Sequence, residues 1–220
     1  VTGKGADTVN AGDGDDVITV VHEVAIPYGR YLLIRHREGI TNLNLSLQEV
    51  EVYSGGVNVA KNAKVITSSD GTWDNGTHKK ENLVDGVIDE TSKYASKNND
   101  GQSWVMIDLG QSYRIEKINL YAREGGNGWD LQSNDLKLFV SDNDLSAYGG
   151  SISDLAKNAS ALMDLSGSYG RDSASRQAVI NASQFSGGSW LTGKTIDGGN
   201  GTDYVDYSSL SIIEAGQGVF

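Results

Sequence analysis

The chain has 220 residues, 38% of them hydrophobic, with 29 acidic side chains against 18 basic ones and a formal net charge of −11. That balance excludes nucleic acid and anionic membrane as natural partners, because both reward clustered Lys and Arg. The absence of Cys excludes disulfide cross-links, and the 28 Gly, 10 Tyr and 4 Trp describe a turn-rich, globular β protein with enough chain for one sizeable core.

In chain order, the first feature is a repeat. Gly3-Lys4-Gly5-Ala6-Asp7-Thr8-Val9 recurs nine residues later as Gly12-Asp13-Gly14-Asp15-Asp16-Val17-Ile18, and again far downstream as Gly199-Asn200-Gly201-Thr202-Asp203-Tyr204-Val205. A short fixed period means a stacked coil whose turns need neighbours to bury their aliphatic residues. Glycine permits the tight turns, and carbonyls beside aspartate carboxylates make an oxygen cage suited to Ca²⁺. These phrases resemble the repeats of RTX proteins, the calcium-loaded parallel β-rolls of bacterial secreted toxins and adhesins. The resemblance implies calcium ligands at Gly3, Gly5, Asp7, Gly12, Gly14, Asp16, Gly199, Gly201 and Asp203. The third copy is expected to stack on the first two, so the chain would leave the roll after residue 20 and return at residue 195. Residues 21–194 would then form an inserted domain of ordinary size. The other reading, two separate rolls each continuing past the sequence, stays open. Without an initiating Met, a signal peptide or a natural ending at Gly218-Val219-Phe220, the chain reads as a piece of a longer secreted or cell-surface protein. Metal would supply the cross-links that Cys does not.

Within the insertion, strand signals follow at Arg30–His36, Leu43–Leu47, Val50–Val52, Trp104–Leu109, Ile115–Tyr121 and Leu136–Val140. They are short, mostly alternating and bounded by Gly, Asn or Asp, which predicts an all-β antiparallel sandwich or barrel. Arg30, Arg35 and Arg37 are expected along a solvated strand edge, and Trp104 in the core. From Ser151 to Leu165 the apolar positions Ile152, Leu155, Ala156, Ala159, Leu162 and Met163 predict a helix of about four turns with Ser153 as N-cap, covering an end of the sandwich. Residues 166–189, rich in Ser, Gly and Ala, carry no clear signal.

A second resemblance runs through Asn58-Val59-Ala60, Ser68-Ser69, Asn82-Leu83-Val84-Asp85-Gly86, Ser103-Trp104-Val105-Met106-Ile107-Asp108-Leu109-Gly110, Ile115–Leu120 and Arg123. This order is similar to that of discoidin-type domains, also called F5/8 type C domains, which include family 32 carbohydrate-binding modules and F-type lectins. The strand pair at Arg30–Ile34 and Leu45–Val52, which usually closes that fold, comes first here, so the resemblance implies a circularly permuted jelly-roll sandwich. It further implies a Ca²⁺ site from Gln48, Glu49, Asn82, Asp85, Val87 and Ser96, two carboxylates mixed with carbonyls and a hydroxyl. The blander reading makes Asp85 a turn cap and Glu49 an exposed strand residue.

In the resembling lectins the ligand sits in loops beside the calcium, held in F-type members by a His and an Arg-x-Asp that bind fucose. This chain departs from that pattern. Asn99 falls near the expected His, and Arg123 is followed by Glu124-Gly125 rather than x-Asp, so fucose itself is not implied. The remaining candidate ligand residues are Trp73, Asp74, His78, Asn98, Asn99, Arg123, Asn127, Trp129 and Asp130. Sugars need an aromatic face beside fixed amides, carboxylates and Arg donors, and both Trp-bearing loops offer them. Trp73 and Trp129 could equally serve loop packing.

Catalytic signatures are missing. His22, His36 and His78 lack metalloprotease spacing, and there is no nucleophile elbow, P-loop or Cys nucleophile. The sequons at Asn75, Asn158 and Asn181 read as chance in a bacterial protein. The sequence thus points to a non-enzymatic, calcium-dependent carbohydrate-binding module of an RTX adhesin, monomeric as a fragment, that attaches cells to surface glycans. The alternatives are a module that binds a protein or peptide end and a structural spacer.

Overall fold

The computed structural model describes residues 8–19, 27–69, 77–89, 91–97, 99–123, 132–165, 177–187, 195–197, 200–202 and 204–206. The chain divides into two compact units, one made of Val1–Ala25 with Ser189–Phe220 and the other of Ile26–Gly188.

In the first unit, segments from opposite ends of the sequence lie side by side. Strand β1 (Thr8–Asn10) pairs in parallel with β14 (Thr195–Asp197), and β2 (Val17–Thr19) pairs in parallel with β15 (Tyr204–Asp206). Both pairings join residues 187 apart, as do the bonds between the strands, where Asn200 Nδ2 donates to Asp13 Oδ1 at 3.0 Å and Thr202 N–H to Asp15 Oδ1 at 3.0 Å. That common offset sets Asp13-Gly14 against Asn200-Gly201. The approach demands glycine: Gly201 has φ +150°, and a Cβ there would lie 2.0 Å from the Gly14 carbonyl oxygen.

The second unit is a two-sheet sandwich. Its strands are β3 (Tyr28–His36), β4 (Ser46–Ser54), β5 (Val57–Asn58), β6 (Lys64–Thr67), β7 (Tyr94–Ala95), β8 (Trp104–Arg114), β9 (Lys117–Ala122), β10 (Leu136–Ser141), β11 (Ala161–Leu165), β12 (Gln177–Asn181) and β13 (Ser186–Gly187). One sheet has the order β13-β11-β10-β3-β8-β6, the other β12-β9-β4-β5 with β7 also on β4, and every pairing in them is antiparallel. The fold is all-β, as the alternating segments imply.

Side-chain alternation explains the layers. Leu32 and Ile34 of β3 point between the sheets into the main core with Leu47, Val50, Ile107, Leu120 and Leu138. Leu33 points the other way into a second cluster with Met106, Phe139, Leu145 and Leu155. A strand buried on both faces reads as an unbroken apolar run, which is what Leu32-Leu33-Ile34 is. The outer face of the larger sheet is covered by α1 (Ile152–Asn158), whose Leu155 belongs to that second cluster. Trp104 packs against it half-buried, so close that a Cβ on Gly149 would fall 2.2 Å from Trp104 Nε1.

Three expectations need correction. The helix has seven residues rather than four turns, and its N-cap is Ser151, whose hydroxyl accepts from Asp154 N–H at 3.3 Å. Its continuation is a strand because β10 offers an open edge: Leu162 pairs with Phe139 and Met163 with Leu138, and the period switches from helical to two. The segments expected at Leu43–Leu47 and Val50–Val52 are one strand, β4, with a register shift between Leu47 and Glu49. The extra residue, Gln48, lets Leu47 and Val50 both face the core, which broke the alternation in the sequence. Finally, Arg35 is no edge residue. It is buried, donating from Nη1 to the Gly149 carbonyl at 2.6 Å, while Arg30 grips Asp108 through Nε and Nη2 at 2.6 and 2.8 Å.

Candidate functional site

The register shift in β4 places Glu49 against the segment after the 3₁₀ turn Lys80–Val84. Asp85 ends that turn and Gly86 follows at φ +83°, a conformation that suits glycine. Gly86 N–H donates to Glu49 Oε1 at 3.2 Å. Asp85 Oδ1 accepts from Val87 N–H at 2.7 Å and Oδ2 from the Ser92 hydroxyl at 2.5 Å. Asn82 holds the turn from below, its Nδ2 donating to the carbonyls of Thr77 at 2.7 Å and Lys93 at 2.9 Å.

Glu49 is fully buried, and its Oε2 is buried with no hydrogen-bond partner. Burial pushes the carboxyl up to about 8, and the neighbouring Asp85 and Glu51 charges push in the same direction. An inaccessible carboxylate oxygen without a partner, within reach of the Asp85 charge, is a costly arrangement that a cation would relieve. Among the described residues no three His, Cys, Asp or Glu side chains converge on one point. A cation here would therefore draw on Glu49, Asp85 and nearby carbonyl or hydroxyl oxygens, a donor set that fits Ca²⁺.

The other expected ligands lie as follows. Gln48 is buried at the register shift itself. Val87 is exposed on the loop leaving Asp85. Ser96 is buried and tied to Leu45: its hydroxyl accepts from Leu45 N–H at 3.0 Å and its own N–H donates to the Leu45 carbonyl at 2.8 Å. The serine that touches the Asp85 carboxylate is Ser92, a residue that sequence reasoning passed over. Its only signal is the Asp89-x-Thr91-Ser92 turn, in which Asp89 Oδ1 accepts from both N–H groups and so aims the Ser92 side chain.

Among the candidate ligand residues, Asn99 is exposed, His78 is buried, and Arg123 is nine-tenths buried. Arg123 Nη1 donates to Gln132 Oε1 at 2.8 Å and its N–H to the Ser133 hydroxyl at 3.0 Å; that hydroxyl in turn donates to the Ser46 carbonyl at 2.5 Å. Trp73, Asp74, Asn98, Asn127, Trp129 and Asp130 lie outside the described residues, as do Gly3, Gly5, Asp7, Gly199 and Asp203. Of the expected repeat ligands, Gly12, Gly14 and Gly201 take positive φ, and Asp16 is half-buried beside them.

The F5/8 type C domain family matches residues 62–158, the stretch from just before β6 to the end of α1. Domains of this type are general carbohydrate- and ligand-binding modules and are usually not catalytic. No curated protein and no solved structure matches the chain. Among the described residues no helix is long and apolar enough to cross a membrane. What residues 62–158 share with F5/8 type C domains is thus a sequence pattern, and the antiparallel two-sheet architecture is consistent with their discoidin-like sandwich.

Proposed function

We propose that the sandwich is a calcium-dependent carbohydrate-binding module of a secreted bacterial RTX adhesin, and that it attaches the cell surface to glycans. The observation that carries this reading is the buried Glu49 Oε2 without a hydrogen-bond partner, with the Asp85 charge acting on the same carboxyl. Glu49 and Asp85 would hold Ca²⁺ with oxygens of Gln48, Asn82, Val87 and Ser96. The ion would neutralise the two carboxylates and tie β4 to the segment after the 3₁₀ turn. The exposed Asn99 would contact the sugar, together with the candidate residues Asn127, Trp129 and Asp130 named from the sequence.

Strand order supports a permuted discoidin domain. Strands β3 and β4 precede the matched segment, yet β3 lies between β10 and β8, and β4 between β9 and β5. A match confined to 62–158 therefore lacks central strands of both sheets, which the chain supplies from its N-terminal side. The parallel pairing of Gly-Asp repeats from the two chain ends supports a calcium roll from which the sandwich is inserted.

A glycan array and a protein and peptide array, each probed with the full chain in millimolar Ca²⁺ and in EGTA, test the proposal. Sugar binding that EGTA abolishes supports it. Binding confined to proteins or peptides would replace it with the protein-ligand alternative, and absence of binding on either array with the spacer.

A further inference from the structure

His36 is fully buried at the end of β3, and both of its ring nitrogens face main-chain carbonyls. Nδ1 lies 3.0 Å from the Asn134 oxygen and Nε2 3.2 Å from the Asn44 oxygen. A neutral imidazole carries one N–H and can serve only one of two acceptors; an imidazolium serves both. The two carbonyls belong to the segments that build the candidate site. Asn44 donates from Nδ2 to the Ser96 carbonyl at 2.7 Å, and Leu45 next to it is bonded twice to Ser96. On the other side, Ser133 and Gln132 hold the main chain and the guanidinium of Arg123.

We propose that His36 is a proton-dependent clamp on this site: as imidazolium it bonds both the Asn44 carbonyl beside the Ser96 segment and the Asn134 carbonyl beside the Arg123 segment, and as neutral imidazole it bonds only one of them, so that protonation adds a second tie to the Ser133–Ser46 bond that already joins the two segments. This rests on the site reading above, because it assigns regulation to the same residues. The charged groups acting on the ring are Asp135, from the segment that supplies the Asn134 carbonyl, and Arg35, its neighbour on β3; the 43–46 segment brings no charge. Asp135 and both carbonyls favour the proton, whereas burial, the largest effect, and Arg35 oppose it, so uptake lies below the ordinary histidine range. The sign for stability follows. The unfolded chain takes the proton first as pH falls below about 6.5, so global stability is lost between that pH and the lower folded value. Site order moves the opposite way, because the folded molecule that has taken the proton has both carbonyls bonded.

These opposed trends separate a positioning role from a merely structural one. The test is an NMR titration of the isotope-labelled full chain at constant divalent-cation content. It reads the His36 ring nitrogens together with hydrogen exchange at the Ser96 and Arg123 amides, corrected for intrinsic pH dependence. Expected on acidification are two ring nitrogens converging on the doubly protonated signature and a slowing of both amides by roughly tenfold, the worth of one net hydrogen bond. His36→Gln should lack that slowing, and if the variant does not fold, the wild-type titration decides alone. A ring that stays a single neutral tautomer until the protein unfolds, or amides that exchange faster as the ring protonates, would overturn the proposal. Neither readout requires bound calcium or sugar, so a failed glycan array leaves this result interpretable, and a failed titration leaves the array so.

Discussion

Replacing Glu49 by Gln should stabilise the metal-free protein and remove its response to calcium. In the folded chain the Glu49 carboxyl is pushed up to about 8 from an ordinary 4.5. A carboxyl raised on folding leaves stability intact below the unfolded value and withdraws it as pH climbs towards the folded one. At pH 7 the withdrawal spans 2.5 units, about 3 kcal/mol, and above pH 8 it reaches roughly 5 kcal/mol. A glutamine at this position keeps an oxygen for the Gly86 N–H and stays neutral throughout. The Glu49→Gln protein in EGTA should therefore be about 3 kcal/mol more stable than wild type at pH 7 and equal to it near pH 4. In melting temperature that is roughly 6–12 °C for a unit of this size. With calcium the order reverses in response: wild type gains about 2.7 kcal/mol at a hundred times the Kd, and the variant gains little. Thermal melts followed by circular dichroism from pH 4 to 9, with and without calcium, measure all of this. Parallel pH profiles for the two proteins in EGTA would refute the reasoning, since the Glu49 carboxyl would then not be held up by its surroundings.

Other outcomes follow from single contacts. Ser92→Ala deletes the 2.5 Å bond to Asp85 Oδ2 and should weaken calcium binding several-fold in a calorimetric titration, and it should also lower the melting temperature in EGTA by a few degrees because the lost bond is a partly buried one to a carboxylate. Arg123→Ala should cost stability as well as any ligand binding, about 1–3 kcal/mol in urea unfolding, because the guanidinium is buried and bonded to Gln132. Asn99→Ala is the cleaner probe: exposed, it should alter glycan affinity and leave the unfolding midpoint within about 0.5 kcal/mol. Gly201→Ala should abolish the calcium response of the first unit and spare the sandwich, because its Cβ would collide with the Gly14 carbonyl; proteolysis of the terminal segments in calcium would report it.

The sheets were legible where burial writes a plain signal into the chain. Leu32-Leu33-Ile34, buried on both faces, and the alternating Leu136–Val140 announced β3 and β10 without help. Tertiary context hid the rest. Gln48 is one inserted residue, and by shifting the phase of β4 it made one strand look like two. Leu162 and Met163 carry helical spacing, yet the edge of β10 made a strand of them. The acidic pair at the candidate site was legible because Asn82, Asp85 and Glu49 sit in a familiar order, but its supporting contacts were not. Nothing local says that Ser92 will reach Asp85, or that His36 will lie between carbonyls contributed by residues 44 and 134. Arg35 read as a solvated edge residue because its acceptor, the Gly149 carbonyl, is 114 residues away.

The parallel pairing of β1 with β14 and of β2 with β15 has a mechanical meaning. When neighbouring strands run the same way and tension pulls the first from its start and the second from its finish, the bonds between them are loaded together rather than opened one after another. A tether running through this chain would put its load on those short ladders. The sandwich, entered at Ile26 and left at Gly188, would be bypassed by that load, free to keep its shape under strain.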